Sequence, residues 1–207
     1  MAVFVLLAVA FAADPFVAGL VTRPDVRPAL EKIVGSDKAT PLADQWLPLL
    51  IVLGMLLSLS GGGRRCIGLL APVLLHLPIL NLLKWAIGRM RPLADMGAYT
   101  FAPLSGAKYA DAFPSGHTAL PAIVALVLGM SFPRARWFLY VWAGVEGLKR
   151  MVAEMHWLSD VLAGYLLAGC VVWLCWRWLG PQYYGCGAGL ESAPHSPTQT
   201  TSRRPLT

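Results

Sequence analysis

The chain has 207 residues, of which 57% are hydrophobic and only 14% are charged. Soluble domains have about 45–50% apolar and about 25% charged residues, so the composition excludes an ordinary soluble protein and predicts an integral membrane protein. Basic residues account for the net charge of +6, and in a membrane protein they set topology or meet anionic lipid. No basic and aromatic stripe occurs, so we expect no nucleic acid partner.

Apolar segments of nearly helical length follow one another along the chain. They run over residues 2–21, 46–61, 66–83, 118–132, 136–153 and 161–179. A helix crosses the hydrocarbon in about 20 residues, and the two-residue alternation of a membrane β-barrel is absent. We therefore predict an all-α, polytopic membrane protein, a bundle of six transmembrane helices within residues 1–180. Residues 181–207 are predicted to form a polar, disordered tail.

The first apolar segment has two interpretations. It ends in an A-x-A-like stretch, as a secretory signal peptide does, but no positively charged region precedes it. The pair Asp14-Pro15 interrupts the apolar run. A retained first helix is favoured, and a cleaved signal peptide is the alternative.

Counting the helices from the N-terminus assigns the connections to the two sides of the membrane. Residues 84–117 and 149–160 fall on one side, so the polar motifs in these connections share a face. Short loops on the other side carry the arginine pairs at 64–65 and 134–136, which favours a cytoplasmic location for that side. The face with the polar motifs then lies in the periplasm or the exterior, although the connection at 22–45 on that face is also basic.

The first polar cluster is KWAIGRMRP, which ends the third segment. Lys84 and Arg91 are seven residues apart, two turns of a helix, so both cations can lie on one face and share an anion. Pro92 then stops the helix. The alternative is that both side chains extend their charges to the membrane surface at a helix end.

The second cluster is PSGH, from Pro114 to His117, directly before the fourth segment. The first turn of a helix has free backbone N–H groups that bind phosphate, and Gly116 lets an anion approach closely. The alternative is an ordinary Ser115 helix cap followed by a histidine at the membrane interface.

The third cluster is KRMVAEMHWLSD, before the sixth segment. Asp160 follows His156 by four residues, so on a helix its carboxylate can hold one imidazole nitrogen as N–H and leave the other free as a nucleophile. Arg150 lies six residues before His156. The alternative is a surface ladder of ion pairs that includes Glu146 and Glu154.

The three clusters are more specific together than apart, because they fall on one side of the membrane. They supply three cations, Lys84, Arg91 and Arg150, together with two histidines, an aspartate and a helix start. Ionisable groups at the bilayer are functional candidates, and three cations with backbone N–H groups match a phosphate monoester.

The combined pattern resembles the type 2 phosphatidic acid phosphatase family, which is related to lipid phosphate phosphatases and vanadium haloperoxidases. The motifs of that family are K-x6-R-P, P-S-G-H and S-R-x5-H-x3-D, and all three spacings occur here in the family's order. Lys149 is the one departure, because the family usually has serine before the arginine. This departure leaves the substrate preference open.

The resemblance implies a metal-independent phosphatase with no cofactor. It implies that His156 is the nucleophile that forms a phosphohistidine, that Asp160 orients His156, and that His117 protonates the leaving oxygen and then activates water. The residues that would hold the phosphoryl oxygens are Lys84, Arg91, Ser115, Gly116 and Arg150.

The expected substrates are lipid phosphates or pyrophosphates, such as undecaprenyl pyrophosphate or a glycerolipid phosphate. The expected location is a bacterial inner membrane, with membrane lipids as neighbours and the active site facing the periplasm. Two alternatives remain open. One is a lipid-to-lipid phosphotransferase of the same fold, and the other is a non-catalytic lipid-binding membrane protein.

Overall fold

The computed structural model describes residues 1–34 and 62–185. The predicted segment at 46–61 and residues 186–207 of the predicted tail lie outside these ranges. Within them, the regular secondary structure is helical, apart from one isolated bridge between Arg89 and Phe101. The all-α prediction is therefore confirmed for the described part of the chain.

The described residues form six α-helices and two short 3-10 helices. The α-helices are α1 (Ala2–Val21), α2 (Arg27–Val34), α3 (Gly62–Ile87), α4 (Gly116–Ser131), α5 (Arg136–Val152) and α6 (Leu158–Leu179), and the 3-10 helices are Pro92–Ala94 and Pro181–Tyr184. By length and composition, α1, α3 and α6 can cross a membrane, whereas α4 is apolar but shorter. Of the six predicted spans, three thus meet this criterion within the described ranges.

The N-terminal region agrees with the prediction in one respect and differs from it in another. Helix α1 covers the predicted segment at 2–21 and continues through Asp14 and Pro15. The polar connection predicted at 22–45 contains α2, which begins at Arg27. Arg27 forms ion pairs with Glu31 on α2 and with Glu154 in the turn between α5 and α6, so α2 lies against the end of α5.

Helix α4 packs against α3, α5 and α6 and occupies the centre of the bundle. The core contains side chains from three of these helices: Leu69 and Val73 of α3, Ile123 and Val127 of α4, and Ala168 and Val172 of α6. Large apolar side chains such as Leu74, Phe138 and Trp173 point outward. An apolar exterior of this extent suits contact with lipid rather than water.

The 3-10 helix Pro181–Tyr184 closes one end of the core. Tyr184 is fully buried in the core cluster, and its backbone carbonyl accepts a hydrogen bond from the Ser131 hydroxyl at 3.2 Å. The predicted boundary between the helix bundle, residues 1–180, and the tail, residues 181–207, falls before this 3-10 helix.

The polar clusters meet at one end of the bundle, as the parity of the helices predicted. The Trp157 indole N–H donates to the Met90 carbonyl at 2.9 Å, joining the first and third clusters. The Ser115 N–H donates to the Asp160 carbonyl at 3.0 Å, joining the second and third. The end of α3, the start of α4, the end of α5 and the start of α6 therefore form one site.

Candidate active site

Lys84 and Arg91 converge on a carboxylate that the sequence analysis did not identify, that of Asp111. Helix α3 ends just before Gly88, which has a φ of +59° at a place where a Cβ would collide with the backbone of Ala102. Arg91 therefore lies beyond the helix. The two-turn helical spacing inferred from the sequence does not account for the convergence, because the chain turns between the two cations.

Asp111 bridges these two cations. Arg91 donates a hydrogen bond to the Asp111 carboxylate at 2.6 Å, and the Lys84 ammonium lies 3.7 Å from the same oxygen. Burial opposes ionisation of Asp111, but the hydrogen bond and charge of Arg91 and the charge of Lys84 lower its pKa below the ordinary value. An anionic group thus already lies between the two cations. The only signal in the sequence was an acidic residue three positions before Pro114.

Ser115 occupies the N-cap position of α4, but its side chain makes no capping hydrogen bond. The hydroxyl is buried and has no hydrogen-bond partner among residues 1–34 and 62–185. A buried hydroxyl without a partner loses about 1–3 kcal/mol relative to a satisfied one, so it is poised to gain from a bound ligand. The ordinary cap considered as the alternative is not formed.

The first turn of α4 brings Gly116 and His117 to the site. A Cβ on Gly116 would lie 2.6 Å from the Leu80 side chain, so the glycine also permits the close approach of α4 to α3. The His117 ring lies before the apolar part of α4, with its centroid 6.0 Å from that of His156. Burial lowers the pKa of His117, and nearby cations, beginning with Arg150, lower it further, to about 4.

His156 lies in the turn between α5 and α6, not on a helix. Its Nδ1 is 2.8 Å from the Ala112 carbonyl oxygen and 3.9 Å from the Asp160 carboxylate. Because a carbonyl oxygen only accepts, Nδ1 carries the proton. Its Nε2 is buried and has no hydrogen-bond partner in the described part of the chain.

The protonation of His156 follows from its surroundings. Burial, then the charges of Lys84 and Arg91, lower the pKa of His156 well below its ordinary value, so the ring is neutral. A neutral ring with a proton on Nδ1 has its lone pair on Nε2. The expectation that a shared helix face brings Asp160 onto the imidazole is wrong, because α6 begins only at Leu158.

Arg150 contributes through both its backbone and its charge. It is buried in the last turn of α5, and its carbonyl accepts the N–H groups of Met155 at 3.0 Å and His156 at 3.3 Å. These two hydrogen bonds fix the turn that presents His156. Beside it, the Lys149 ammonium lies 3.2 Å from the Glu146 carboxylate.

Next to His156 lies a buried ion network that the sequence analysis also missed. Arg89 donates to the carboxylates of Asp160 and Asp14, each at 2.7 Å, and all three side chains are 0% exposed. Asp14 belongs to α1, far from the three clusters in sequence. Two signals were available: Asp14 is the sole ionisable residue of an apolar segment, and Arg89 is a third basic residue within KWAIGRMRP.

The structure brings every site residue predicted from the sequence to the same end of the bundle. They are Lys84, Arg91, Ser115, Gly116, His117, Arg150, His156 and Asp160. Their arrangement combines three cations, a helix start and a pair of neutral imidazoles. Such a site can hold an oxyanion and offer it a nitrogen nucleophile.

Comparison with known proteins agrees with this arrangement. The family model of the PAP2 superfamily matches residues 66–184. Similar proteins include a lipid A 1-phosphatase of Rhizobium johnstonii, 40% identical over 88 residues, which are 42% of this chain and 36% of the relative. A phosphatidylglycerophosphatase B of Escherichia coli K12 is 41% identical over 80 residues, 34% of this chain and 31% of the relative.

The aligned region is thus only part of each of these relatives: this chain covers 36% and 31% of their lengths. An acid phosphatase of Zymomonas mobilis is 39% identical over a shorter stretch of 56 residues, 27% of this chain and 21% of the relative. The family model, in contrast, extends from α3 to the 3-10 helix at 181–184, more than half of the chain. The protein therefore belongs to the PAP2 superfamily.

Proposed function

We propose that the protein is a membrane-embedded, metal-independent phosphatase that hydrolyses a lipid phosphate or pyrophosphate through a phosphohistidine intermediate. The observation that carries this proposal is the buried Nε2 of neutral His156, which has no partner among the described residues and lies near His117. A nitrogen lone pair and a second imidazole can serve as the nucleophile and the general acid of a displacement at phosphorus. Membership of the PAP2 superfamily supports the same assignment.

In the first step the Nε2 lone pair of His156 attacks phosphorus. The bond from phosphorus to the leaving oxygen breaks, and that oxygen takes a proton from His117. The phosphorylated ring keeps its Nδ1 proton on the Ala112 carbonyl and becomes positively charged. The Asp160 carboxylate, 3.9 Å from Nδ1, stabilises this charge.

In the second step water attacks phosphorus opposite the P–N bond. His117, now neutral, takes a proton from that water. The P–N bond breaks, its electron pair returns to Nε2 of His156, and phosphate is released. The products are the dephosphorylated lipid and inorganic phosphate, and both histidines return to their starting states once His117 holds its proton.

His117 must be protonated for the first step, yet burial and the nearby cations hold its pKa at about 4 without a ligand. A bound phosphate dianion opposes the charges of those cations and favours the imidazolium. His117 therefore becomes a competent acid when the substrate binds.

The remaining residues stabilise the charge on the transferring group. Phosphoryl transfer depends mostly on positioning and on charge stabilisation of the phosphoryl oxygens. The groups assigned to this task are the cations of Lys84, Arg91 and Arg150, the hydroxyl of Ser115 and the helix start at Gly116. The buried Ser115 hydroxyl, which has no partner in the described ranges, supports its part.

The substrate is a lipid phosphate or pyrophosphate, with an isoprenoid pyrophosphate or a glycerolipid phosphate as the leading candidates. The site lies at one end of a helix bundle with an apolar exterior, where a lipid head group would enter from the bilayer. The names of the relatives, a lipid A 1-phosphatase and a phosphatidylglycerophosphatase B, support this class of substrate.

We place the protein in a bacterial inner membrane with the site facing the periplasm. Arg64 and Arg65 begin α3, and Arg134 and Arg136 lie before or at the start of α5, at the end opposite the site. Arginine in short connections favours the cytoplasmic side. These four arginines therefore support a periplasmic site.

Phosphate release by the purified protein in detergent tests the proposal. A panel of isoprenoid pyrophosphates, glycerolipid phosphates and lipid A is offered with a metal chelator present. We expect release from at least one lipid class, inhibition by vanadate, and a loss of about a thousandfold or more in His156→Ala. A matched control is His76→Ala on α3, roughly 12 Å along the helix axis from Lys84, which should not show this loss.

Each other result has a definite meaning. Activity that survives in His156→Ala contradicts the phosphohistidine mechanism, and activity that the chelator abolishes contradicts metal independence. Loss of lipid phosphate without free phosphate, but with a newly phosphorylated acceptor lipid, assigns a phosphotransferase. No turnover of any lipid by a protein that binds lipid phosphate assigns a binding protein.

A further inference from the structure

Helix α1 carries a single ionisable residue, Asp14, in an otherwise apolar sequence. Most of α1 is exposed, yet Asp14 is 0% exposed. A charged group in a membrane-spanning helix is costly and is found where partners inside the protein compensate it. The partners of Asp14 therefore indicate what this helix is built to reach.

Asp14 binds the first turn of α6 directly. One carboxylate oxygen accepts the Ser159 N–H at 2.8 Å, and the other accepts the Ser159 hydroxyl at 2.6 Å. Ser159 precedes Asp160 and is fully buried. The position of the backbone that carries Asp160 is therefore fixed from α1.

Asp14 also binds Arg89, which holds the other side of Asp160. All five N–H donors of Arg89 are used: two on Ala98, and one each on Asp14, Asp160 and the Ser159 hydroxyl. The guanidinium carbon lies 4.2 Å from the centre of the Phe11 ring, also on α1. The guanidinium therefore has no spare donor and little freedom to rotate.

The two oxygens of Asp160 are both held. Oδ1 accepts from Arg89 at 2.7 Å, and Oδ2 accepts the Trp157 N–H at 2.8 Å. The Asp160 carboxylate is 3.9 Å from Nδ1 of His156, which is too far for a hydrogen bond. The effect of Asp160 on the imidazole is therefore electrostatic, and it depends on how Arg89 divides its hydrogen bonds between two carboxylates.

We infer that Asp14 is a positioning residue of the catalytic centre, which through Arg89 and Ser159 holds the Asp160 carboxylate beside His156. Helix α1 is then a working part of the site and not only a membrane anchor. This inference rests on the proposed function, because it assigns a role toward the same nucleophile. It requires α1 to remain part of the folded protein.

Asp14→Asn tests the inference in the full chain purified in detergent. The substitution keeps the shape of the side chain and one acceptor oxygen but removes the charge that competes with Asp160 for Arg89. We expect kcat to fall about tenfold or more, while KM and vanadate affinity change less than about twofold, because the phosphate-binding cations are untouched. Activity is expressed per vanadate-binding site, so a misfolded fraction does not count as slow turnover.

The matched control is Asp25→Asn, which removes an exposed aspartate from the turn after α1 and should leave kcat unchanged. A second measurement makes Asp14→Asn both in the wild type and in Asp160→Asn. If Asp14 acts through Asp160, then Asp14→Asn lowers the kcat of Asp160→Asn by less than about a further twofold.

Wild-type kcat per site in Asp14→Asn, or full additivity with Asp160→Asn, overturns the inference. A change in KM alone also overturns it. His156→Ala distinguishes the positioning role of Asp14 from the proposed function. If His156→Ala is inactive while Asp14→Asn is normal, only the positioning role fails. If His156→Ala stays active, the proposed function fails.

Discussion

The site has two parts that differ in how their polar atoms are satisfied. We call Lys84, Arg91, Asp111, Ser115 and His117 the phosphate rim, and Asp14, Arg89, Ser159 and Asp160 the buried ion network. In the buried ion network, every side chain is 0% exposed and the guanidinium of Arg89 uses all its donors. In the rim, the Ser115 hydroxyl and Nε of Arg91 are buried without a hydrogen-bond partner in the described ranges.

This difference separates binding from positioning. Buried polar atoms are nearly always paired, so unpaired atoms in the rim mark where a ligand completes the structure. Fully paired atoms in the buried ion network have no free hydrogen-bonding capacity for a ligand, but they hold the side chains of the network rigidly. The two parts meet at His156, whose Nδ1 side faces the Ala112 carbonyl and Asp160 and whose Nε2 has no partner there.

The largest effect that separates the two parts should come from His117→Gln in the rim. Loss of a general acid typically slows a reaction by about 10²–10⁴-fold, and we expect this for lipid phosphates, whose leaving oxygen needs a proton. An aryl phosphate with an acidic leaving group needs no proton in the first step, so its phosphorylation of His156 should slow far less. Burst kinetics with both substrates measure this.

Asp14→Asn in the buried ion network should behave differently, because it should slow the phosphorylation of His156 by both substrates alike. Equal losses for both substrates in His117→Gln would mean that His117 does not protonate the leaving group.

A smaller effect of opposite sign should follow from Asp111→Asn. The Asp111 carboxylate lies between Lys84 and Arg91, where it competes with a bound anion. Its removal should tighten vanadate binding about threefold, an effect typical of a partly exposed ion pair. Titration of vanadate by isothermal calorimetry measures the change.

Asp95→Asn, an exposed aspartate in the same connection, is the control and should bind vanadate as the wild type does. Weaker binding in Asp111→Asn would show instead that Asp111 holds the two cations in place for the ligand.

The last test follows a single titration. Without ligand, the pKa of His117 is about 4, so the ring is neutral above that pH. A bound vanadate or phosphate should raise the midpoint by about one to three units, because an anion within a few ångströms stabilises the imidazolium. NMR of labelled histidine, assigned with His117→Gln, measures both midpoints. An unchanged midpoint would contradict the acid role of His117.

Local patterns in the sequence predicted the helices and the end of the bundle where the site forms. The segment predicted at 136–153 became α5, Arg136–Val152, because apolar content and the loop at Pro133 both mark it locally. The face shared by the three clusters followed from the order of the helices alone. The segment at 46–61 lies outside the described residues, so its prediction stays open.

Contacts between distant segments could not be predicted in the same way. Asp14 is 75 positions from Arg89 and 145 from Ser159, and no local period links them. The sequence analysis noted the same aspartate only as an interruption of the apolar run, because the sequence does not show its partners. Asp111 was missed for the same reason.

Helical spacing also misled where the chain is not helical. The four-residue step from His156 to Asp160 predicted a direct hydrogen bond, but His156 precedes α6 and bonds the Ala112 carbonyl instead. The seven-residue step from Lys84 to Arg91 crosses the turn at Gly88. In both cases the residues still meet, because tertiary contacts replace the helix face.

The covalent intermediate on His156 can be trapped and identified. The variant His117→Gln is used, because loss of His117 also slows attack by water on the phosphorylated ring. The protein is mixed with a ³²P-labelled aryl phosphate, quenched and digested. We predict label that is stable to base and labile to acid, located on His156 and absent when His156→Ala is added. No label at all, or label that persists without His156, would contradict the phosphohistidine mechanism.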